Sequence, residues 1–326
     1  MESFRANEKE SEHIITKIPI LHYLEDFMHT RTFFSGKFFT AICIGIFFAG
    51  SAFIAGCKKS DSNPAAAQTA TVADDAANAV DAVSAAIASN NGGAMDQAND
   101  VFEIAGGVGV GTGEALGKSY GDTTVVSRQY DSTSATWTLG LYRQKSTLPL
   151  YFGVWTRTYT HQFRANGKPQ KFRAPLGGSV ADSIIHKTIS AGCTGYFWTP
   201  RLVHHLISLS SNWTASNTNT DTVTINGSYV WSGIDTIKVA ARAGTVINRT
   251  ISLTFTNVRG PRGLRHDRSA GTSGTITGTY GATVTVPGKA PYTVTKTFTI
   301  ILGGGNGAIT LDDGTKATTN LATGDH

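Results

Sequence analysis

Cysteine is scarce in this chain, with three in 326 residues, at positions 43, 57 and 193. Beyond Cys57 there is Cys193 alone, so residues 58–326 contain no internal disulfide and no cysteine pair for a structural zinc site. A solitary cysteine reads as a small apolar core side chain rather than as a nucleophile. Stability must therefore come from a packed core, and about 200 residues are enough to build one. Metal-binding histidine spacings are missing too. There is no His-x-His and no HExxH, and the adjacent His204 and His205 would point to opposite faces of a strand. No metal and no cofactor is expected.

Catalytic motifs are present only as near misses. The glycine-rich stretch from Gly106 to Ser119 approaches a P-loop, but Thr112 stands where the first required glycine belongs. Gly117-Lys118-Ser119-Tyr120-Gly121 satisfies G-x-S-x-G without the entering strand and leaving helix that a nucleophile elbow needs. Helical patterns never alternate with strand patterns, which argues against parallel βαβ folds. No catalytic residue is assigned.

One long apolar run exists, residues 38–55, and it carries no charge. Arg31 and Lys37 precede it, giving the order of charged and apolar regions found in a secretory signal. A run of about 18 residues could also cross a bilayer. Its end decides between the two. Ile54-Ala55-Gly56-Cys57 resembles the lipobox of bacterial lipoproteins, an aliphatic residue and two small residues before a cysteine. The resemblance implies that residues 1–56 are a signal peptide, that the Cys57 thiol receives a diacylglyceryl group, and that the signal is cut before Cys57. It also implies an envelope address with the membrane as partner. Lys58 rather than aspartate follows the cysteine, which favours the outer membrane. Residues 1–27 are acidic where a signal should be positive, and Met28-His29-Thr30-Arg31 offers a more ordinary start.

Residues 57–70 read as a polar tether. Residues 71–105 are rich in alanine and acidic side chains and predict a short helical segment. Thr71 and Asp74 suggest a capped start, Val72, Ala76, Val80, Val83 and Ile87 form an apolar stripe, and Asn90-Asn91-Gly92-Gly93 supplies a stop. Residues 106–122 form a glycine-rich hinge. From 123 to 326 the period changes to two. Ile251, Leu253 and Phe255 alternate with threonines and serine, as do Ile276, Tyr280, Val284 and Val286. Such alternation means a sheet with one dry and one wet face. About ten to twelve strands joined by tight turns predict a mainly β protein, an antiparallel meander forming a sandwich or an open or closed barrel.

Charge divides at the same boundary. Residues 58–117 carry two lysines against eight acidic residues, whereas residues 118–326 carry 21 Lys and Arg against nine acidic residues. Opposite charge favours docking of the helices on the sheet. Two basic clusters mark turns: Arg164, Lys168, Lys171 and Arg173, and the row Arg259, Arg262, Arg265 and Arg268. Arginine forks of this kind suit an anionic glycan or lipid headgroup. In this compartment nucleic acid is not an expected partner. Tyr151, Trp155 and Tyr159 share one face of a strand whose other face is also apolar. That pattern fits either cover by the helices or an aromatic groove for a lipid chain or sugar. The leading expectation is a non-enzymatic, lipid-anchored envelope protein, structural or binding an apolar or anionic ligand. A hydrolase of envelope polymers, or a surface adhesion or filament module, are the alternatives.

Overall fold

The alternation that begins at residue 123 produces strands whose odd and even positions face different surroundings. On one register Phe255, Ile276 and Ile300 lie side by side and are buried, while Thr254, Thr277 and Thr299 on the reverse side face outward. The structure, a computed structural model, describes residues 64–107, 119–120, 123–147, 150–239, 242–263 and 271–326. Cys57 and its signal, most of the glycine-rich hinge, and Arg265 and Arg268 lie outside the described residues.

The strands are β1 (Ser119–Tyr120), β2 (Thr123–Asp131), β3 (Thr136–Thr147), β4 (Tyr151–Ala165), β5 (Lys168–Gln170), β6 (Ser183–Thr188), β7 (Thr194–Trp198), β8 (Leu202–Ser216), β9 (Thr222–Ile237), β10 (Val246–Pro261), β11 (Ser273–Thr285), β12 (Tyr292–Gly303), β13 (Asn306–Leu311) and β14 (Lys316–Asn320). They form one continuous antiparallel sheet that follows chain order, so the meander is realised as a single sheet rather than two. Both β6 and β7 fit between β4 and β8, one lane interrupted by a short turn at Ser190–Gly192. β1 and β14 end the sheet. The strand count over 123–322 exceeds the sequence expectation because short pieces such as β5 and β7 carry too few residues to show a period.

Two helices precede the sheet, α1 (Pro64–Ile87) and α2 (Ala94–Gly106). The first begins within the stretch expected to be tether, seven residues before Thr71. Proline suits a first helical turn and the alanines after it propagate one, so Thr71 lies inside the helix instead of capping it. The expected stop holds: Gly92 takes φ +68°, and a Cβ there would come within 2.9 Å of Trp155 and Arg157.

An apolar stripe would leave half of each helix wet, yet residues 78–87 of α1 and the whole of α2 are buried or partly buried on every side. Ala79, Val83, Ser84, Ala86 and Ile87 of α1 are fully buried, and so are the polar Asp96, Gln97, Asp100 and Glu103 of α2. Strands far apart in the sheet order reach the same helix pair, which means that the sheet curls around it. Arg143 of β3 binds α2, Arg249 of β10 donates to the Ala82 carbonyl at 2.9 Å, and Tyr292 of β12 donates to Asp75 at 3.0 Å. The chain end closes over the helix junction, where the amides of Ser89 and Asn90 donate to the carbonyls of Leu321 and Ala322. One core cluster joins both helices to the sheet, with Phe102 and Ile87 among Trp213, Tyr229, Phe255 and Ile276. Each such side chain contributes roughly 1.5–3 kcal/mol by leaving water.

Candidate functional site

Strand alternation places Tyr151, Trp155, Arg157 and Tyr159 of β4 on the inner face, opposite Arg143 of β3. The acidic side of α2 lies on them. Asp96 and Asp100 are one turn apart, so both carboxylates reach the same guanidinium. Arg143 Nη1 donates to Asp96 at 2.6 Å and to Asp100 at 3.0 Å, Nη2 donates to Asp100, and Nε donates to Thr123 at 2.6 Å. Trp155 Nε1 donates to Asp96 at 3.1 Å and the Tyr159 hydroxyl to Asp100 at 2.9 Å. Arg157 caps the Gly92 carbonyl at 2.8 Å, and the half-buried Tyr151 donates to that of Asn90 at 2.6 Å. The aromatic residues singled out in the sequence thus meet the helices, and Trp155 and Tyr159 are 2% and 0% exposed.

Electrostatics fixes these groups in their ordinary charge states. Burial works against the charged form of Arg143, but Asp100 and Asp96 outweigh it and push the guanidinium up. Burial, and next the charge of Asp100, push the Tyr159 hydroxyl well up. Neither group exchanges a proton near neutral pH. This is a structural network holding helix to sheet, not an acid–base pair. Sequence reasoning missed Arg143, Asp96 and Asp100. The available signal was the spacing of two aspartates by four on a helix, next to a basic domain.

A second buried cluster joins β8, β9 and β10. His204 Nδ1 lies 2.7 Å from Asp235, and Arg249 Nη2 donates to the same carboxylate at 3.1 Å. The His204 ring stands between Phe197 and Trp231, each at 4.7 Å, and its Nε2 has no hydrogen-bond partner among the described residues. Burial brings its pKa down to about 4, despite the opposing pull of Asp235. A histidine–aspartate pair without a hydroxyl or thiol on its far nitrogen lacks the geometry of an activated nucleophile. His205 faces outward, as the alternation required. Cys193 is partly buried, and its thiol donates to the Ile189 carbonyl at 3.3 Å; burial pushes its pKa up. Among the described residues no group of three or more His, Cys, Asp or Glu side chains could hold a metal.

The arginine row is present in part. Arg259 is exposed on β10, and Arg262 just beyond it pairs with the exposed Asp221 at 3.5 Å. Sequence reasoning treated the two basic clusters as separate turns, but the fold brings them together. The segment after β5 returns to the β8–β9 turn, where Thr218 Oγ1 donates to the Ala181 carbonyl at 2.7 Å. Arg173 thereby comes near Arg262, and burial together with that like charge lowers its pKa.

The outer face offers one further feature, an open groove of about 530 Å³ across β10 to β13. Its walls are hydroxyl-bearing, with Thr254, Thr277, Thr299 and Thr310 aligned across four strands. Comparison of the chain with known protein families, curated proteins and solved structures finds no match.

Proposed function

We propose that this chain is a lipid-anchored protein of the bacterial envelope that works through its outer surface, without catalysis and without enclosing a ligand. The observation that carries the surface part of this reading is the filling of the sheet's inner side by the chain's own helices. The carboxylates of α2 that would serve a ligand or a reaction are held by Arg143, Trp155 and Tyr159. The anchor part is supported by Ile54-Ala55-Gly56-Cys57. Outer-membrane location follows from Lys58 on the same reasoning.

Mass spectrometry of the protein from its native host tests the anchor. A mature chain beginning at acylated Cys57 is expected, and Cys57→Ala should leave the precursor uncut and unacylated. Acylation persisting in the variant would overturn the anchor. For the surface part, a long-chain fatty acid or sugar should leave Trp155 emission unchanged. A saturable change in that emission would mean that the inner face binds ligand after all.

A second reading, a surface adhesion module, is favoured by the open threonine groove on β10 to β13, whose rows of hydroxyls with Asp312 at the edge suit a glycan.

A further inference from the structure

The segment between β5 and β6, residues 171–182, carries three exposed apolar side chains within residues 172–180. Phe172 is 43% exposed, Val180 42%, and Leu176 is fully exposed. Single exposed apolar residues are ordinary, but a group on one loop marks an interaction surface. The loop is held in this conformation. Gln170 Nε2 donates to the carbonyls of Phe172, Arg173 and Ser179, the Ala181 amide donates to Arg173 at 2.7 Å, and the Gly178 amide donates to Pro175 at 3.0 Å. A loop tied this firmly keeps its apolar tips in water instead of folding them inward.

Cations surround the tips. Lys168 and Lys171 are exposed, Arg173 is half-buried, and among the described residues none of the three has a carboxylate partner. Lys171 Nζ lies 4.9 Å from the Tyr130 ring and 5.2 Å from that of Phe172, while Arg128 stacks over Trp137 at 4.3 Å. Trp137 packs 6.4 Å from Phe172 and donates to the Lys171 carbonyl at 2.7 Å. Asp182, at the end of the loop, accepts from the Asn166 amide at 2.7 Å, and Asp221 pairs with Arg262 at 3.5 Å. Apolar tips, amphipathic rings and unneutralised lysine and arginine in one place match the depth profile of a bilayer interface. There the apolar groups enter the acyl boundary, rings sit at headgroup level and cations meet lipid phosphates.

We propose that the 171–182 loop, with Lys168 and Arg262 beside it, docks on an anionic phospholipid surface, with Leu176, Phe172 and Val180 entering the headgroup layer. This names the partner of the surface reading above and rests on it. A soluble polyanion would use the cations but has no use for the apolar tips, which is why a membrane is the better match.

The compact unit Ser62–His326 lacks Cys57, so any vesicle binding by it is independent of acylation. It should co-sediment with vesicles of phosphatidylglycerol and phosphatidylcholine at low salt, at least tenfold better than with phosphatidylcholine alone. Added salt should weaken the binding. Leu176→Asp touches no core residue and should reduce binding at least tenfold with an unchanged melting temperature. Lys171→Glu combined with Arg262→Glu should do the same. Equal binding to neutral and anionic vesicles, or undiminished binding by Leu176→Asp, would overturn the proposal. So would binding to a soluble anionic polysaccharide that matches vesicle binding and ignores Leu176→Asp. Failure on vesicles while the full chain is still acylated at Cys57 would remove this loop's role and leave the anchor standing.

Discussion

On β10, Arg249 and Thr254 lie on opposite faces of one strand, both polar, and for different reasons. Arg249 is buried, bonded to the Ala82 carbonyl of α1 and to Asp235. Thr254 is exposed, and its hydroxyl meets water. The same contrast runs through the sheet, with Arg143, Arg157 and His204 inside and Thr277, Thr299 and Thr310 outside. Inside, a charged side chain must find a partner, because an unpaired buried charge is costly. Outside, the β-branched carbon of threonine suits the pleat and its hydroxyl asks nothing of its neighbours. Arg143, Arg157 and Arg249 are therefore coupled to the helix pair, and the outer threonines are nearly independent.

The most severe way to break that contrast is at Arg143. Arg143→Met would take from the buried Asp96 and Asp100 the guanidinium that bonds both, leaving Trp155 and Tyr159 still donating to them, a loss of about 3–5 kcal/mol. In a domain of this size the melting temperature should fall by on the order of 10 °C. Adding Asp96→Asn and Asp100→Leu to Arg143→Met should recover much of that loss, since the stranded charges are gone. A single variant that melts within about 1 °C of the parent would mean that the network holds nothing.

A smaller effect, counted for each histidine and each pH unit, is expected from pH. His186 of β6 is buried, with no partner for either ring nitrogen among the described residues, and burial lowers its pKa to about 3. His204 falls to about 4 for the same first reason. Both are neutral in the fold, whereas the unfolded chain takes up their protons below about pH 6.5. Between pH 6.5 and 4 the unfolded state thus binds more protons, and stability must fall as pH falls. Each histidine contributes at most about 1.4 kcal/mol per pH unit. Thermal melts at pH 7.0, 5.5 and 4.5 should show the decline, and His186→Phe should flatten it. A melting temperature independent of pH over this window would contradict the neutral, buried assignment.

Which parts were legible in the sequence follows from the same contrast. Outer threonines alternating with Ile251, Leu253 and Phe255 announce an antiparallel meander, since period two survives wherever one face is wet. The face shared by Tyr151, Trp155 and Tyr159 read equally as helix cover or as an aromatic groove, and the structure places the helices on it. The start of α1 was hidden because residues 64–70 look polar and short, although a proline followed by alanines is a competent helix start. The opposite charges of helices and sheet suggested docking, but the individual partners of the α2 carboxylates stayed hidden because a helix sequence shows a carboxylate without showing what binds it. Thr123 and Arg143 are register partners in the β2–β3 hairpin, but Asp100 joins them only because α2 lies against the inner face of the sheet. The meeting of Arg173 with Arg262 was hidden for the same reason.

The smallest effect belongs to the outer face. Thr277→Val on β11 keeps the branched shape and removes a hydroxyl from solvent. Its expected change is within about 0.5 kcal/mol in a denaturant melt. A loss above 2 kcal/mol would show that the threonine rows are structural, and that the two faces differ less than their burial suggests.

The central claim is that the helices are the core of this sheet rather than a cover over a cavity. Native-state hydrogen exchange of the Ser62–His326 unit, read amide by amide along α2, tests it most directly. If the claim holds, the amides from Ala98 to Ala105 exchange through global unfolding and are as protected as those of β9 and β10. If α2 exchanges a hundredfold faster while the strands stay protected, the helices open by themselves. The inner face of Arg143, Trp155 and Tyr159 would then be a binding site that the helices guard.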